Sequence, residues 1–342
     1  MGLSDDIKCK ARQLGLDLVG VTDASPIDSR QVELLTGWLA SGFAGQMDYM
    51  HRNLEKRINP AKLLENAQSV VVVGLSYKAP SQNQSATTPP AGRVASYAQY
   101  EDYHPFLKTM LRRLTVFISS LAGAGHKFNI CVDSAPVAER ALATRAGLGF
   151  IGKNHMLINP TLGPQIFLGE IITTVKLQFG QPAYCHSERS EAKSRNLLPE
   201  TRAASAEQER IESTSSKCAG CTKCIDACPT GALRADGQFD ANKCISYLTI
   251  EHKGQIPPEL AEKIGNRLFG CDECMQACPY QQKSPVCRNK EFKFYRDIAN
   301  LNLQQILDMN EKDFEAAFAD SVIKRIGLDR LKRHARICLA NV

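Results

Sequence analysis

Apolar residues recur at helical spacing over residues 4–15 and 29–41, the second as VELLTGWLASG, where Gly42 supplies a left-handed residue that ends a helix. The run SVVVVGLSY, Ser69 to Tyr77, is continuous and β-branched, so it predicts a strand buried on both faces. A loop of Ser, Gln, Thr and Pro follows from Ala79 to about Gly92. Helical spacing returns from His104 to Leu121, FNICVD predicts a second buried strand, and PVAERALATRAG a helix that Pro136 starts and Gly147 ends. That order places Asp133 at the C-terminal end of a strand, where α/β sheets hold ligands. LGFIGKNHMLINPTLGPQIFLGEIITTV then reads as a turn, a short strand, a Gly-Pro turn and a strand from Gln165 to Val175. Together these predict an α/β (α+β) first domain over residues 1–180.

The text changes at residues 181–217, which are rich in Ser, Glu, Arg and Ala with no sustained apolar period and read as an exposed inserted loop. Cys185 and His186 fall inside it without suitably spaced partner ligands. Residues 218–290 form a cysteine-rich module, and residues 291–342 a short helical tail ending in the basic SVIKRIGLDRLKRHAR. The 342 residues, 43% of them apolar, suffice for a sizeable core and exclude a disordered or fibrous chain. No apolar run is long enough to span a bilayer and no signal peptide opens the chain, so a cytoplasmic protein without membrane contact is expected. The net charge of +6 favours a polyanionic partner only mildly.

Eight of the thirteen cysteines crowd between Cys218 and Cys278, which in a cytosolic chain points to metal chemistry rather than disulfides. CAGCTKCIDACP sets Cys218, Cys221, Cys224 and Cys228 at C-x₂-C-x₂-C-x₃-C-P, the bacterial ferredoxin run, whose fourth cysteine serves a neighbouring cluster. CDECMQACP is an incomplete second copy with Cys271, Cys274 and Cys278, and Leu268 stands where its first ligand belongs. Cys244 is the only cysteine between the two runs. The exchange rule then assigns one 4Fe–4S cluster to Cys218, Cys221, Cys224 and Cys278, and a second to Cys228, Cys244, Cys271 and Cys274. A pair of zinc sites is the alternative. Cys9, Cys131, Cys287 and Cys338 are left over and are expected to fill core.

No dinucleotide fingerprint and no phosphate-binding glycine loop is present. The combination VDSAPVAERALATRAGLGFIGKNHMLI, FLGEI and the eight cysteines in this order resembles the epoxyqueuosine reductase family. The likeness extends from GWLASGFAGQMDYM and RINPAKLLENAQSVVVVGLSY to the SVIKRIGLDRLKRHA tail. Two features depart from the family pattern: Gly149-Phe150-Ile151-Gly152-Lys153-Asn154-His155 replaces a usual Gly-Trp-Ile-Gly-Lys-Asn-Thr, and the inserted loop is longer and more polar.

The resemblance implies a cobalamin-binding first domain of nitroreductase-like type and reduction of epoxyqueuosine to queuosine in the tRNA anticodon loop. Electrons would come from a reduced carrier such as flavodoxin or ferredoxin through both clusters to cobalamin, in a monomeric enzyme. It makes Asp133 the proton donor, a task suited to a buried carboxylic acid of raised pKa; the competing role for Asp133 or Ser134 is a helix N-cap. Arg57, Tyr97, Lys153, Asn154 and Ser246 become candidate cobalamin contacts with Asp133, while Tyr247 is either a corrin contact or core. Lys324, Arg325, Arg330, Lys332, Arg333 and Arg336 would meet tRNA phosphates or simply form a solvated face. Asp102-Tyr103-His104 approaches another cobalamin signature, Asp-x-His-x-x-Gly, but Leu107 stands where glycine belongs, so His104 is not assigned to cobalt. Competing readings are a reductive dehalogenase, a non-catalytic electron carrier and a tRNA-binding module.

Overall fold

The computed structural model describes residues 2–80, 90–179 and 217–341. The inserted loop, with Cys185 and His186, lies outside the described residues apart from Lys217. In chain order the first part contains α1 (Leu3–Gln13), β1 (Leu18–Asp23), α2 (Ser29–Ala40), β2 (Ser69–Ser76), β3 (Ala91–Val94), α3 (Tyr103–Ala122) and β4 (Phe128–Cys131). It continues with α4 (Glu139–Arg145), β5 (Phe150–Ile151), β6 (Leu157–Ile158) and β7 (Ile166–Thr173). The later part contributes β8 (Arg267–Phe269), β9 (Asn300–Asn302) and α5 (Leu328–Ala340), among shorter helices.

The main sheet has the order β1-β2-β7-β4, and every neighbouring pair is antiparallel. All eight residues of β2 and all eight of β7 are buried. The reason is that both faces are covered. Ile7 and Ala11 of α1 and Leu107, Leu111 and Leu114 of α3 pack on Val71, Val73 and Leu75. Leu142 and Ala143 of α4 pack with Val70 and Val72 on the other side. Fully burying each of these valines contributes about 1.5–3 kcal/mol, which is why the run is continuously apolar rather than alternating.

Three sequence expectations change. The sheet is antiparallel, so the parallel-sheet rule that placed Asp133 beside a ligand does not carry over. β1 and β3 were not foreseen; β3 lies partly within the expected polar loop. Helix α4 begins at Glu139, and its N-cap, Ala138, makes no side-chain cap bond, so neither Asp133 nor Ser134 caps it.

A second sheet of order β8-β3-β9 takes one strand from each of the segments 1–180, 218–290 and 291–342. Around it, Leu248, Leu268 and Phe269 share a core with Leu303, Phe314, Ile323 and Leu331. Trp38 Nε1 of α2 donates to the Phe239 carbonyl at 2.7 Å, and the Gln46 amide donates to the Tyr247 hydroxyl at 2.7 Å. Gly45 has a φ of 58°, and a Cβ there would meet the Tyr247 hydroxyl at 2.4 Å, so the close approach requires glycine. Tyr247 therefore fills the seam between the segments.

Four of the six basic residues in the tail's SVIKRIGLDRLKRHAR stretch are engaged with the rest of the fold. Lys324 pairs with Glu315 and Arg325 with Asp102; Arg330 donates to the Ile250 carbonyl and Arg333 to that of His252. These four groups thus satisfy carboxylates and carbonyls of the fold. Cys131 and Cys338 are buried in cores and Cys287 is half-buried, whereas Cys9 is disulfide-bonded rather than simple core filler. Among the described residues no helix is long and apolar enough to cross a membrane.

Candidate metal centre and active site

Cys218, Cys221, Cys224 and Cys278 line one cavity of about 420 Å³, together with Lys153, Asn154 and Ile158. The loop is shaped locally: the Cys221 amide donates to the Cys218 carbonyl at 2.8 Å, and Lys153 Nζ donates to the carbonyls of Ala219 at 2.8 Å and Cys221 at 3.0 Å. Burial, together with Cys218, Cys221 and Cys278, pushes the Cys224 thiol up. The same physics acts on Cys278, with Cys218 and Cys221 as its charged neighbours.

The other four thiols feel one another in the same way. Burial raises Cys244, Cys274 and Cys271, the last to about 12, and the neighbouring charges are Cys228 and Cys244 for Cys274, Cys228 for Cys244 and Cys244 for Cys271. Cys228 is the exception. Burial pushes it up, but amides of Leu233, Thr230 and Ala232 and the Thr230 hydroxyl outweigh that and hold it low. The chain thus gathers two sets of four sulfurs, each mixing cysteines from both runs. Four thiolates held together repel unless a cationic centre lies between them, and an all-sulfur set selects iron–sulfur or zinc chemistry. Zinc needs its donors around a single ion; among the described residues no group of three or more His, Cys, Asp or Glu is close enough to hold one. The donor sets fit polynuclear clusters.

Asp133 sits in the left-handed region at φ 51°, which costs a residue with a Cβ about 1–2 kcal/mol. Its amide donates to Glu139 Oε1 at 2.7 Å. Its Oδ2 lies 3.0 Å from His104 Nε2, while His104 Nδ1 lies 2.6 Å from Asp102 Oδ1. Arg325 closes the line, its guanidinium donating to Asp102 Oδ2 at 2.7 and 3.2 Å. Asp102 also caps α3, accepting from the His104 amide at 2.9 Å. Tyr103 stacks between His104 and Phe167 at centroid distances of 4.0 and 4.1 Å, fixing the imidazole plane.

The protonation of this line differs from the sequence expectation. Burial raises the Asp133 carboxyl, but the hydrogen bond and charge of His104 and the Tyr103 hydroxyl outweigh it, so Asp133 is held below the usual carboxylate range. Burial lowers His104, yet its bonds to Asp102 and Asp133 prevail and raise it. The mobile proton therefore rests on the imidazole, not on Asp133. With 56% of its side chain exposed, Asp133 is open to a substrate. Behind it, Glu170 is fully buried and neither carboxylate oxygen has a hydrogen-bond partner among the described residues; burial and the charges of Glu139 and Asp133 raise it strongly. Burial and Asp133 likewise raise Glu139.

The candidate cobalamin contacts divide. Arg57 donates to the carbonyls of Val137 and Tyr49 at 3.4 Å and feels Glu139 and Asp133, with its Nε left without an acceptor. Tyr97 is raised by burial and by Asp272 and Asp133, which sets it between the second sulfur set and the acid. Ser246 Oγ donates to the Cys271 carbonyl at 3.3 Å. Lys153 and Asn154 instead wall the first sulfur cavity. The orphaned Arg57 Nε, the phenol of Tyr97 and the open Asp133 fit a large polar cofactor beside the second set. Asp102, His104, Arg325, Glu139 and Glu170 were missed as site residues. The Asp102-Tyr103-His104 triplet was the available signal, weighed only as a cobalt motif.

Residues 217–281 match the family described as 4Fe-4S double cluster binding domain, and residues 57–134 match Epoxyqueuosine reductase QueG, DUF1730. An epoxyqueuosine reductase from Francisella cf. novicida (strain Fx1) is 34% identical across 95% of this chain and 84% of its own length. One from Cyclobacterium marinum is 33% identical across 96% and 94%. Among solved structures, an epoxyqueuosine reductase bound to an epoxyqueuosine-modified tyrosine tRNA stem-loop superposes with a TM-score of 0.83 at 29% identity, covering 99% of this chain and 81% of that one. The Bacillus subtilis enzyme, solved with an aspartate catalytic loop swung out of the active site, gives a TM-score of 0.81 at 28% identity and the same coverages. With its two cysteine sets and its near full-length identity to these enzymes, the chain belongs to the epoxyqueuosine reductase family.

Proposed function

We propose that this protein reduces epoxyqueuosine in a tRNA anticodon stem-loop to queuosine, using two 4Fe–4S clusters and cobalamin, as a cytoplasmic monomer supplied by a reduced carrier such as flavodoxin or ferredoxin. The observation that carries the reading is the Asp133–His104 pair next to Tyr97 and the second sulfur set, in a chain of this family. It also sets aside the dehalogenase, carrier and binding-module readings.

Converting an epoxide to an alkene takes two electrons and two protons and releases the oxygen as water. Cys218, Cys221, Cys224 and Cys278 would hold one cluster, and Cys228, Cys244, Cys271 and Cys274 the other. Arg57, Tyr97 and Ser246 would hold cobalamin, which when bound supplies the low-potential electron chemistry at the substrate. Lys153 and Asn154, proposed at first for cobalamin, suit the wall of the first cluster better. Asp133, on a loop we equate with the catalytic loop of the Bacillus subtilis relative, would meet the epoxide oxygen. His104 would pass its proton to Asp133 as that oxygen gains negative charge, and Asp102, oriented by Arg325, would keep the imidazole protonated and in plane.

The test is anaerobic: reconstituted protein, cobalamin, a strong reductant and epoxyqueuosine-bearing stem-loop, with the nucleosides analysed by mass spectrometry. Loss of one oxygen in the wild type, abolished in Asp133→Asn with corrinoid and iron still bound, is the expected result. Full clusters and bound corrinoid without product would end the assignment.

A further inference from the structure

The first sulfur cavity opens to the surface, and among the described residues its rim carries one sign of charge. Lys217, Lys223 and Lys283 line it and are exposed, and no Asp or Glu is among the lining residues. Among the described residues none of the three has a carboxylate within ion-pair distance, whereas Lys153, deeper in the wall, is engaged with loop carbonyls. The Lys217 ammonium sits 5.4 Å from the centroid of the Phe150 ring, so it is held at the mouth. Asp226, three residues from Lys223, accepts from Thr222 at 2.7 Å and does not line the cavity. Ile158, Pro160, Pro279 and Tyr280 supply apolar surface between the lysines.

The two sulfur sets have different neighbours. Cys218 and Cys221 belong to the set that opens on this rim, while Asp133, Tyr97 and Asp272 group with the other. Electron tunnelling falls off steeply with distance, so a carrier that feeds the relay at the end away from Asp133 must approach this rim. Single-sign charge round a cleft focuses the field on an oppositely charged partner. We propose that the Lys217, Lys223 and Lys283 rim is the docking face for an acidic one-electron carrier protein. This rests on the cluster assignment above and deepens it by naming the face and the partner's charge. In each encounter one electron leaves the reduced carrier and one enters the cluster held by Cys218, Cys221, Cys224 and Cys278; no bond or proton changes.

The experiment uses the full chain with reconstituted clusters, a photoreduced flavodoxin as probe, and bleaching of cluster absorbance in a stopped-flow instrument. Lys217→Glu, Lys223→Glu and Lys283→Glu combined is expected to slow reduction by flavodoxin about tenfold or more at low ionic strength. The deficit should shrink as salt rises, and the all-glutamine version should fall between. Reduction by photoreduced deazaflavin, which is small and uncharged, should be the same in all three proteins, as should iron content. Equal flavodoxin rates with equal iron would overturn the docking face alone. Preserved rates with weakened tRNA stem-loop binding would overturn it in favour of a nucleic-acid contact. A wild type that takes up no iron would overturn the cluster assignment and the docking face together.

Discussion

At the scale of single residues, the proton line makes the sharpest forecasts. His104 is raised above its ordinary value, so its stabilising bonds to two carboxylates are fully present below about pH 6.5. They are lost as pH rises through the folded-state value. Turnover limited by this proton should therefore fall on the alkaline side, and His104→Gln should flatten that limb while lowering kcat; an unchanged pH profile would exclude His104 from proton delivery. Arg325→Met should leave clusters and fold in place yet shift the same limb to higher pH, because the Asp102 carboxylate then acts on His104 without its neutralising cation. Glu170 gives a stability test. Its raised carboxyl means the unfolded chain ionises first, so stability is lost as pH rises from about 4.3, the ordinary glutamate value. Glu170→Gln should stabilise the protein near neutral pH by about 1 kcal/mol or more, read as a raised Tm, with a smaller effect in acid; equal Tm shifts at both pH values would show that the carboxyl is not neutral in the folded protein.

At the scale of elements, the apolar runs were readable because both faces of β2 and β7 are covered, and a covered strand must be apolar throughout. Direction was not readable. Val70 to Val73 would look the same in a parallel or an antiparallel sheet, since periodicity reports burial and not polarity of the neighbour. β3 escaped because Ala91–Val94 is only four residues long and, though central in its sheet, pairs with strands that start at Arg267 and Asn300, far along the chain. The cysteine spacing, by contrast, is enough to propose both sulfur sets, since the thiolates that hold a cluster leave a short, local record. The acid's partners left none: Asp102, Arg325 and Glu139 are ordinary cap, tail and helix residues until the fold brings them to Asp133. Leu111 of α3 tests the layer that supports them. It is fully buried and lies against Gly169 of β7, so Leu111→Ala should cost about 2–5 kcal/mol in urea unfolding; a loss under about 1 kcal/mol would mean the helix does not rest on the sheet.

For the whole molecule, the segments that composition separates share the β8-β3-β9 sheet and two cores. Residues 1–180 expressed alone should leave β3 without either neighbour and expose Val94 and Ala98, both buried here. Such a fragment should aggregate or bind a hydrophobic dye, while the full chain should not; a stable, dye-silent fragment would show that the shared core contributes little. The link from Arg325 to Asp102 bears on the order in which the protein comes into being. A ribosome makes α3 and the Asp133 loop early, and both have time to fold while most of the chain is still unmade. Their last ionic partner emerges only some two hundred residues later. A nascent or prematurely terminated product therefore holds all eight cysteines of the two sulfur sets yet lacks the group that steadies its imidazole. Catalytic competence becomes a late event of synthesis, arriving after the sulfur sites can already be loaded.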